Sequence, residues 1–367
     1  MTAPTSSSYS LSRKEGWFQM VNAPLRRRPE LLTIQQLRRL DEAERAAYDE
    51  ARFDWHANLG PFTTRQLARI HDELSEVVAS NRQDGDRVKG AVALDGFPGL
   101  GKTTVVNSFG RAYHRQQIDR HGERTRDGHE RIPVCRLGLT SNTTMRTLNQ
   151  MICEFYAHPG PSRGNAAQLA SKALDCVLSC ETQIVIVDDV HFVNMGRRDG
   201  VEIANHFKWL ANEFPVTFVF VGVGIERRGL LREGLCSADS AMAQTARRWT
   251  RLAIEPFEIH SRQGRRHWRA LLLAIERQLV LARAHQGMVA DDLADYLFAR
   301  STGHIGSLMT LIARGCYRAV RSGEERLSPA LLDKVKADEA AERVRVELAA
   351  AMDAGALSAT PRRTPAA

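Results

Sequence analysis

A chain of 367 residues, 43% hydrophobic and 26% charged, holds enough apolar material for one large or two modest cores. That excludes a wholly disordered chain, a collagen-like repeat and a disulfide-stapled miniprotein. Lys and Arg outnumber Asp and Glu by 51 to 43, a net charge of +8. With a pI near 9.4, the chain suits an anionic partner such as nucleic acid, or carries its charge for solubility alone.

Six scattered cysteines, Cys135, Cys153, Cys176, Cys180, Cys236 and Cys316, form no CxxC pair and read as reduced thiols, since no second Cys/His pair completes a metal site. The start, Met1 to Trp17, is rich in Ser and Thr without an apolar leader. The longest apolar run, Val216 to Ile225, is too short for a bilayer. A soluble, cytoplasmic protein without membrane contact is expected.

In chain order, residues 1–20 read as polar and mobile. Arg26-Arg27-Arg28 and Pro29 precede a helical stretch from about Leu31 to Asp54. Pro61 and Thr63-Thr64 open a second helix, with Leu67, Ile70, Leu74, Val77 and Val78 at three- and four-residue steps. From residue 90 short apolar strands alternate with helices: Ala91–Asp95, Ile132–Leu139, Ile184–Asp188, Val216–Gly222 and Arg251–Pro256. Continuous Ile/Val runs suit strands buried on both faces. Separated by helices, they predict a parallel five-stranded sheet in a three-layer α/β domain. After Phe257 helices are expected at about 261–284, 290–299, 304–321 and 328–350. The resulting division is an N-terminal helical arm (1–60), an α/β domain (61–258), a C-terminal helical lid (259–350) and a flexible tail (351–367).

Gly96-Phe97-Pro98-Gly99-Leu100-Gly101-Lys102-Thr103, followed by Thr104, matches G-x-x-x-x-G-K-[ST] between a strand and a helix. In that context the glycines turn backbone N–H groups into an anion nest at a helix N-terminus. Lys102 then meets the β- and γ-phosphates and the Thr103 hydroxyl meets Mg²⁺. The alternative is a chance Gly-containing turn. In Ile184-Val185-Ile186-Val187-Asp188-Asp189 four aliphatics deliver two carboxylates to the C-terminal end of a strand, where open α/β sheets bind ligands. Asp188 is the candidate Mg²⁺ ligand and Asp189 the candidate for orienting the attacking water. A pair that only caps the next helix is the plainer reading.

At these residues the chain resembles the TniB/TnsC-type AAA+ ATPases, ATP-dependent regulators and target selectors of DNA transposons. The resemblance rests on Gly96 to Thr104, Ile184 to His191, Phe220-Val221-Gly222, Ala246-Arg247-Arg248-Trp249, Ile254-Glu255-Pro256-Phe257 and Thr302-Gly303-His304-Ile305-Gly306, spanning roughly 90–315. It implies an AAA+ three-layer P-loop NTPase fold, ATP and Mg²⁺ as cofactors, and assembly on double-stranded DNA as a ring or helical filament. A transposase, with a TniQ-like adaptor, would be the partner. It also implies an arginine finger acting on the neighbouring subunit's γ-phosphate, Arg248 with Arg247 close behind; a solvated Arg pair on a helix end is the alternative.

Departures from the family's pattern point to slow hydrolysis. Asp189 stands where glutamate is usual, one methylene (about 1.5 Å) short, and a misplacement of that size costs a rate factor of about 10². The first sensor position, near Val223, is apolar, and Gly306 stands where many AAA+ lids carry arginine.

For DNA, the run Arg111, Arg115, Arg120, Arg124, Arg126 and Arg131, and the segment Thr140 to Arg146 with Thr143 and Thr144, suit phosphate contacts without base reading. A second basic cluster is Arg262, Arg265, Arg266, His267, Trp268 and Arg269. Solvated or packed helix faces are the alternatives for both. The rival functions are a replication-initiator or helicase-loader ATPase, and a P-loop signalling ATPase that does not touch DNA.

Overall fold

The computed structural model describes residues 9–83, 89–192, 198–225 and 249–336, with 348, 350, 352, 354 and 357–359. Contacts divide the chain into two units. One takes Met1–Pro24, Gln66–Pro98 and Lys102–Ile254; the other takes Leu25–Arg65, Gly99–Gly101 and Glu255–Ala367. This grouping cuts across the sequence boundaries at 60 and 258, because the N-terminal segment is shared between the two.

In the first unit, strands β1 (Ala91–Gly96), β2 (Val134–Gly138), β3 (Ile184–Asp188), β4 (Thr217–Gly222) and β5 (Trp249–Ile254) form one sheet in the order β2-β3-β4-β1-β5. Every pairing is parallel. Each residue of β3 and β4 is buried, as their continuous apolar sequences require of central strands with helices on both faces. Phe218 and Phe220 stack at 5.6 Å, and Phe220 stacks on Trp249 of β5 at 4.7 Å. The strands expected from sequence are all present, with ends shifted by up to two residues.

Helix α1 (Lys14–Asn22) is a correction to the reading of residues 1–20 as mobile. Trp17 is fully buried and its indole N–H donates to His114 Nδ1 at 3.1 Å. The last carbonyls of α1 are capped from outside: Arg115 Nε donates to Val21 O at 2.7 Å and Arg111 Nη2 to Ala23 O at 2.7 Å. The unit also holds, among the described residues, helices α4 (Arg65–Ser80), α5 (Lys102–His121), α6 (Met145–Phe155), α7 (Ala166–Ser179) and α8 (Arg198–Glu213).

In the second unit the single helix expected over 31–54 is two, α2 (Ile34–Arg39) and α3 (Glu42–Ala57). The break is local chemistry: Asp41 caps α3 by accepting from Glu44 N at 2.8 Å, while the Glu44 side chain accepts from Asp41 N. Helix α3 is part of the C-terminal core rather than an arm. Arg52 is fully buried and grips Glu325, itself 1% exposed, through Nη1 at 2.7 Å and Nη2 at 3.1 Å. His56 Nε2 accepts from Val280 N at 3.0 Å, and Trp55 Nε1 donates to Gln278 O at 2.7 Å. Further helices among the described residues are α9 (Arg262–Glu276), α10 (Ala294–Ser301), α11 (Ile305–Ser322) and α12 (Pro329–Leu332), around a core of Trp268, Leu272, Leu297, Leu311 and Ile312. Where one helix was expected over 328–350, α12 ends at Leu332, and residues 337–347 lie outside the described residues. No helix among the described residues is long and apolar enough to cross a membrane.

Candidate nucleotide-binding site

The phosphate loop leaves β1 at Gly96 and enters α5 at Lys102. Gly99 and Gly101 hold φ angles of 75° and 81°, the left-handed region that side chains avoid. The loop runs directly into the first turn of α5, whose N–H groups have no carbonyl partner within the helix. A loop of that shape ending on a helix N-terminus is an anion cradle. Gly306 N donates to Gly99 O at 2.8 Å, and a Cβ at Gly306 would lie 2.8 Å from that same oxygen. Glycine at position 306 therefore has a steric reason.

Lys102 Nζ donates to the carbonyls of Gly96 and Phe97, each at 2.7 Å. Burial pushes its pKa down, while Asp95, Asp188 and Asp189 pull it back up. The ammonium thus lies on the loop with three carboxylates in its field. Thr103 and Thr104 are exposed, Leu100 is buried, and Phe97 is 60% exposed at the loop's tip. Asp95, which sequence reading passed over, pins the loop's entry: its Oδ1 accepts from Gly96 N and from Gly224 N, both at 2.7 Å.

Asp188 ends β3 and is 2% exposed. Its Oδ2 accepts from Arg136 Nη2 at 2.8 Å and its Oδ1 from Asp189 N at 3.0 Å. Register explains the pair. Gly138 of β2 sits opposite Asp188, and Arg136, two residues earlier, shares its face. A Cβ at Gly138 would lie 3.2 Å from Arg136 Nη1, so the glycine leaves the lane the guanidinium uses. Arg136 was also missed in the sequence; the available signal was a lone cation inside an otherwise apolar strand.

Asp189 has φ 61°, a conformation more accessible to Asp than to other side-chain-bearing residues and concentrated at functional sites. Its side chain is 43% exposed, with Oδ1 4.0 Å from His191 Nδ1. Burial and then the neighbouring Asp188 charge raise its pKa, partly offset by His191, Arg136 and Lys102. The oxygen donors of Thr103 and Asp188 are the hard type Mg²⁺ takes, and one carboxylate with one hydroxyl is the usual protein share when phosphates and water supply the rest. The residues present fit that ion.

The finger candidates Arg247 and Arg248 lie outside the described residues. The expected DNA-contact residues are mostly committed elsewhere. Arg131 is 7% exposed, paired with Glu181, and its Nε and Nη2 donate to the Gly122 and Arg124 carbonyls at 2.9 and 3.0 Å. It braces the turn between α5 and β2, which corrects its reading as a phosphate contact. Thr143 is 5% exposed and bonded to Thr140 through both its hydroxyl and its acceptor site. Thr144 is the N-cap of α6, accepting from Thr147 N at 3.2 Å. The Arg146 guanidinium donates to Ser162 O at 2.7 Å and Gly164 O at 3.2 Å. Arg126 is exposed at the tip of the 125–128 turn. In the other cluster, Trp268 is core, Arg269 pairs with Asp291 at 2.8 Å and Arg265 donates to Ile259 O at 2.7 Å.

Residues 85–231 match the family model for an AAA domain. Comparison with curated proteins returns no match. Among solved structures the chain is similar to the Aeropyrum pernix ORC1 protein in complex with DNA, with a TM-score of 0.55 and 15% identity over 76% of this chain and 67% of that one. It is similar also to Cdc6p from Pyrobaculum aerophilum, with a TM-score of 0.55 and 15% identity over 76% and 69%. A third likeness is to the Aeropyrum pernix ORC2 protein in its ADPNP–ADP complexes, with a TM-score of 0.53 and 13% identity over 76% and 70%. At such identities likeness speaks for the fold: around an AAA domain, the chain has the AAA+ P-loop NTPase fold.

Proposed function

We propose that this protein is a DNA-associated AAA+ ATPase that assembles on double-stranded DNA in its ATP-bound state. The observation that carries the ATP-dependent part is the cradle at Gly96–Thr103, with the Lys102 ammonium in the field of Asp95, Asp188 and Asp189; the DNA part is supported by the net charge of +8 and by the like fold of an ORC1 protein solved in complex with DNA. Lys102 binds the β- and γ-phosphates, Thr103 and Asp188 hold Mg²⁺, and Asp189 orients the attacking water. Bound Mg²⁺ supplies neutralisation of the charge that develops on the phosphates. Arg248 acts on the neighbouring subunit's nucleotide, so hydrolysis follows assembly. With the shorter Asp189 carboxylate, turnover without partners stays below about 1 s⁻¹, the low end of enzyme rates.

In its finer form the reading is a transposition regulator that recruits a transposase with a TniQ-like adaptor, from the family resemblance of the motifs. A replication-initiator or loader role is the second reading; in its favour, an ORC1 protein of like fold was solved on DNA. The test is ATP hydrolysis with and without duplex DNA, for the wild type and Asp189→Asn. DNA stimulation that Asp189→Asn abolishes, with nucleotide binding retained, is expected. A wild-type rate indifferent to DNA overturns the DNA-associated reading. Capture of an adjacent transposase, against capture of a replicative helicase, separates the two finer forms.

A further inference from the structure

A second concentration of charge lies in the C-terminal unit. Arg314, Arg318 and Arg321 recur at steps of four and three along α11, on one exposed stripe about 10 Å long. With Lys334 and Lys336, which follow α12, they line a cleft of about 780 Å³. Tyr317 stands in the same wall, 48% exposed, its ring held 4.6 Å from that of Phe53. Leu331 and Val335 line it too, and Glu324 is the one acid among its described lining residues.

Some arginines of this unit are matched by acids: Arg52 and Arg45 with Glu325, Arg269 with Asp291. Here the side chains of Arg318, Arg321 and Lys334 make no hydrogen bond or ion pair with another described residue, and that of Arg314 only donates to Lys336 O at 2.8 Å. Gathering five cations around a concave surface costs self-repulsion that neither folding nor solubility requires. A polyanion that releases its own counterions on binding offsets that cost. A single phosphate would leave most of the cations unmatched, whereas a nucleic-acid backbone presents charges in series and sugars or bases for an exposed aromatic ring.

We infer that this cleft, between the C-terminal half of α11 and the residues after α12, is a sequence-independent binding surface for the DNA phosphate backbone. It adds to the proposed function, and rests on it, by supplying a DNA contact that the committed Thr143, Thr144 and Arg131 do not.

The experiment is fluorescence anisotropy of a labelled duplex, with a non-hydrolysable ATP analogue, across a salt series, for the full chain and the double variant Arg318→Ala/Arg321→Ala. Both side chains are exposed and have no partner among the described residues, and unchanged melting and nucleotide binding verify that the variant folds. Loss of two phosphate contacts lowers affinity at least about tenfold near physiological salt and reduces the slope of log affinity against log salt by about 2. Wild-type binding that the variant matches in affinity and slope overturns the cleft and leaves the functional reading standing. A wild type that binds no duplex overturns the functional reading itself. Arg38→Ala/Arg39→Ala, two exposed arginines on α2 of the same unit, serves as the charge-matched control; an equal loss there would mean diffuse attraction and overturn the cleft.

Discussion

Arg136 Nη2 lies 2.8 Å from Asp188 Oδ2, joining the second strand's lone cation to the buried carboxylate at the end of the third. The guanidinium side chain is 13% exposed and the carboxylate 3%, so neither charge is well hydrated and each depends on the other. One face of Asp188 is thus held by protein, and a cation bound there shares the carboxylate with Arg136.

Arg136→Ala removes one member of this pair. Leaving the other charge buried costs about 3–5 kcal/mol. Thermal melting with and without Mg·ATP measures it: the variant melts lower than wild type, and Mg·ATP raises its melting temperature by more, because the metal takes over neutralisation of Asp188. Equal stabilisation of the two proteins by Mg·ATP contradicts this.

The same reasoning applies to Glu325, whose carboxylate accepts from Arg52 at 2.7 and 3.1 Å and from Ala282 N at 3.1 Å. Glu325→Ala leaves the fully buried Arg52 guanidinium with Asp49 as its remaining carboxylate partner and costs up to about 3 kcal/mol, the low end for a broken buried pair. Hydrogen exchange reports it locally: protection falls in α3 and α11 while the parallel sheet keeps its own. Unchanged protection in α3 contradicts the account.

Two buried histidines set the acid limit of stability. Burial lowers the pKa of His56 and of His114 to about 4, and each uses an unprotonated ring nitrogen as acceptor, from Val280 N and Trp17 Nε1. Below pH 6.5 the unfolded chain takes up protons that the folded chain refuses. Stability therefore falls as pH drops from about 6.5 towards 4, by up to about 3 kcal/mol per histidine, and levels below that. His114→Gln flattens the dependence of melting temperature on pH across this window. A variant as steep as wild type contradicts the assignment.

The sheet was legible because its strands are continuous apolar runs, and the phosphate loop because its motif sits between a strand and a helix. Long-range pairings were not. Trp17 lies in a polar, Ser-rich beginning, and nothing local says that its indole meets His114, 97 residues away. Arg52 reads as an ordinary helix-surface cation until Glu325 arrives from 273 residues on. The structural work of Thr143, Thr144 and Arg131 was hidden for the converse reason: hydroxyls and guanidinium groups that suit phosphate also suit caps and turn carbonyls. Trp17→Ala separates the mobile and docked readings of the start. A docked indole costs about 3–5 kcal/mol on truncation, a mobile one nothing, and chemical denaturation measures which.

The central claim is that nucleotide in the Gly96–Thr103 cradle makes the protein assemble on duplex DNA. Electron microscopy of wild type and Lys102→Ala with duplex and a non-hydrolysable ATP analogue tests it most directly. Regular rings or filaments on DNA are expected for the wild type only, and only with nucleotide. Equal decoration of the duplex by Lys102→Ala, or by the wild type without nucleotide, contradicts it.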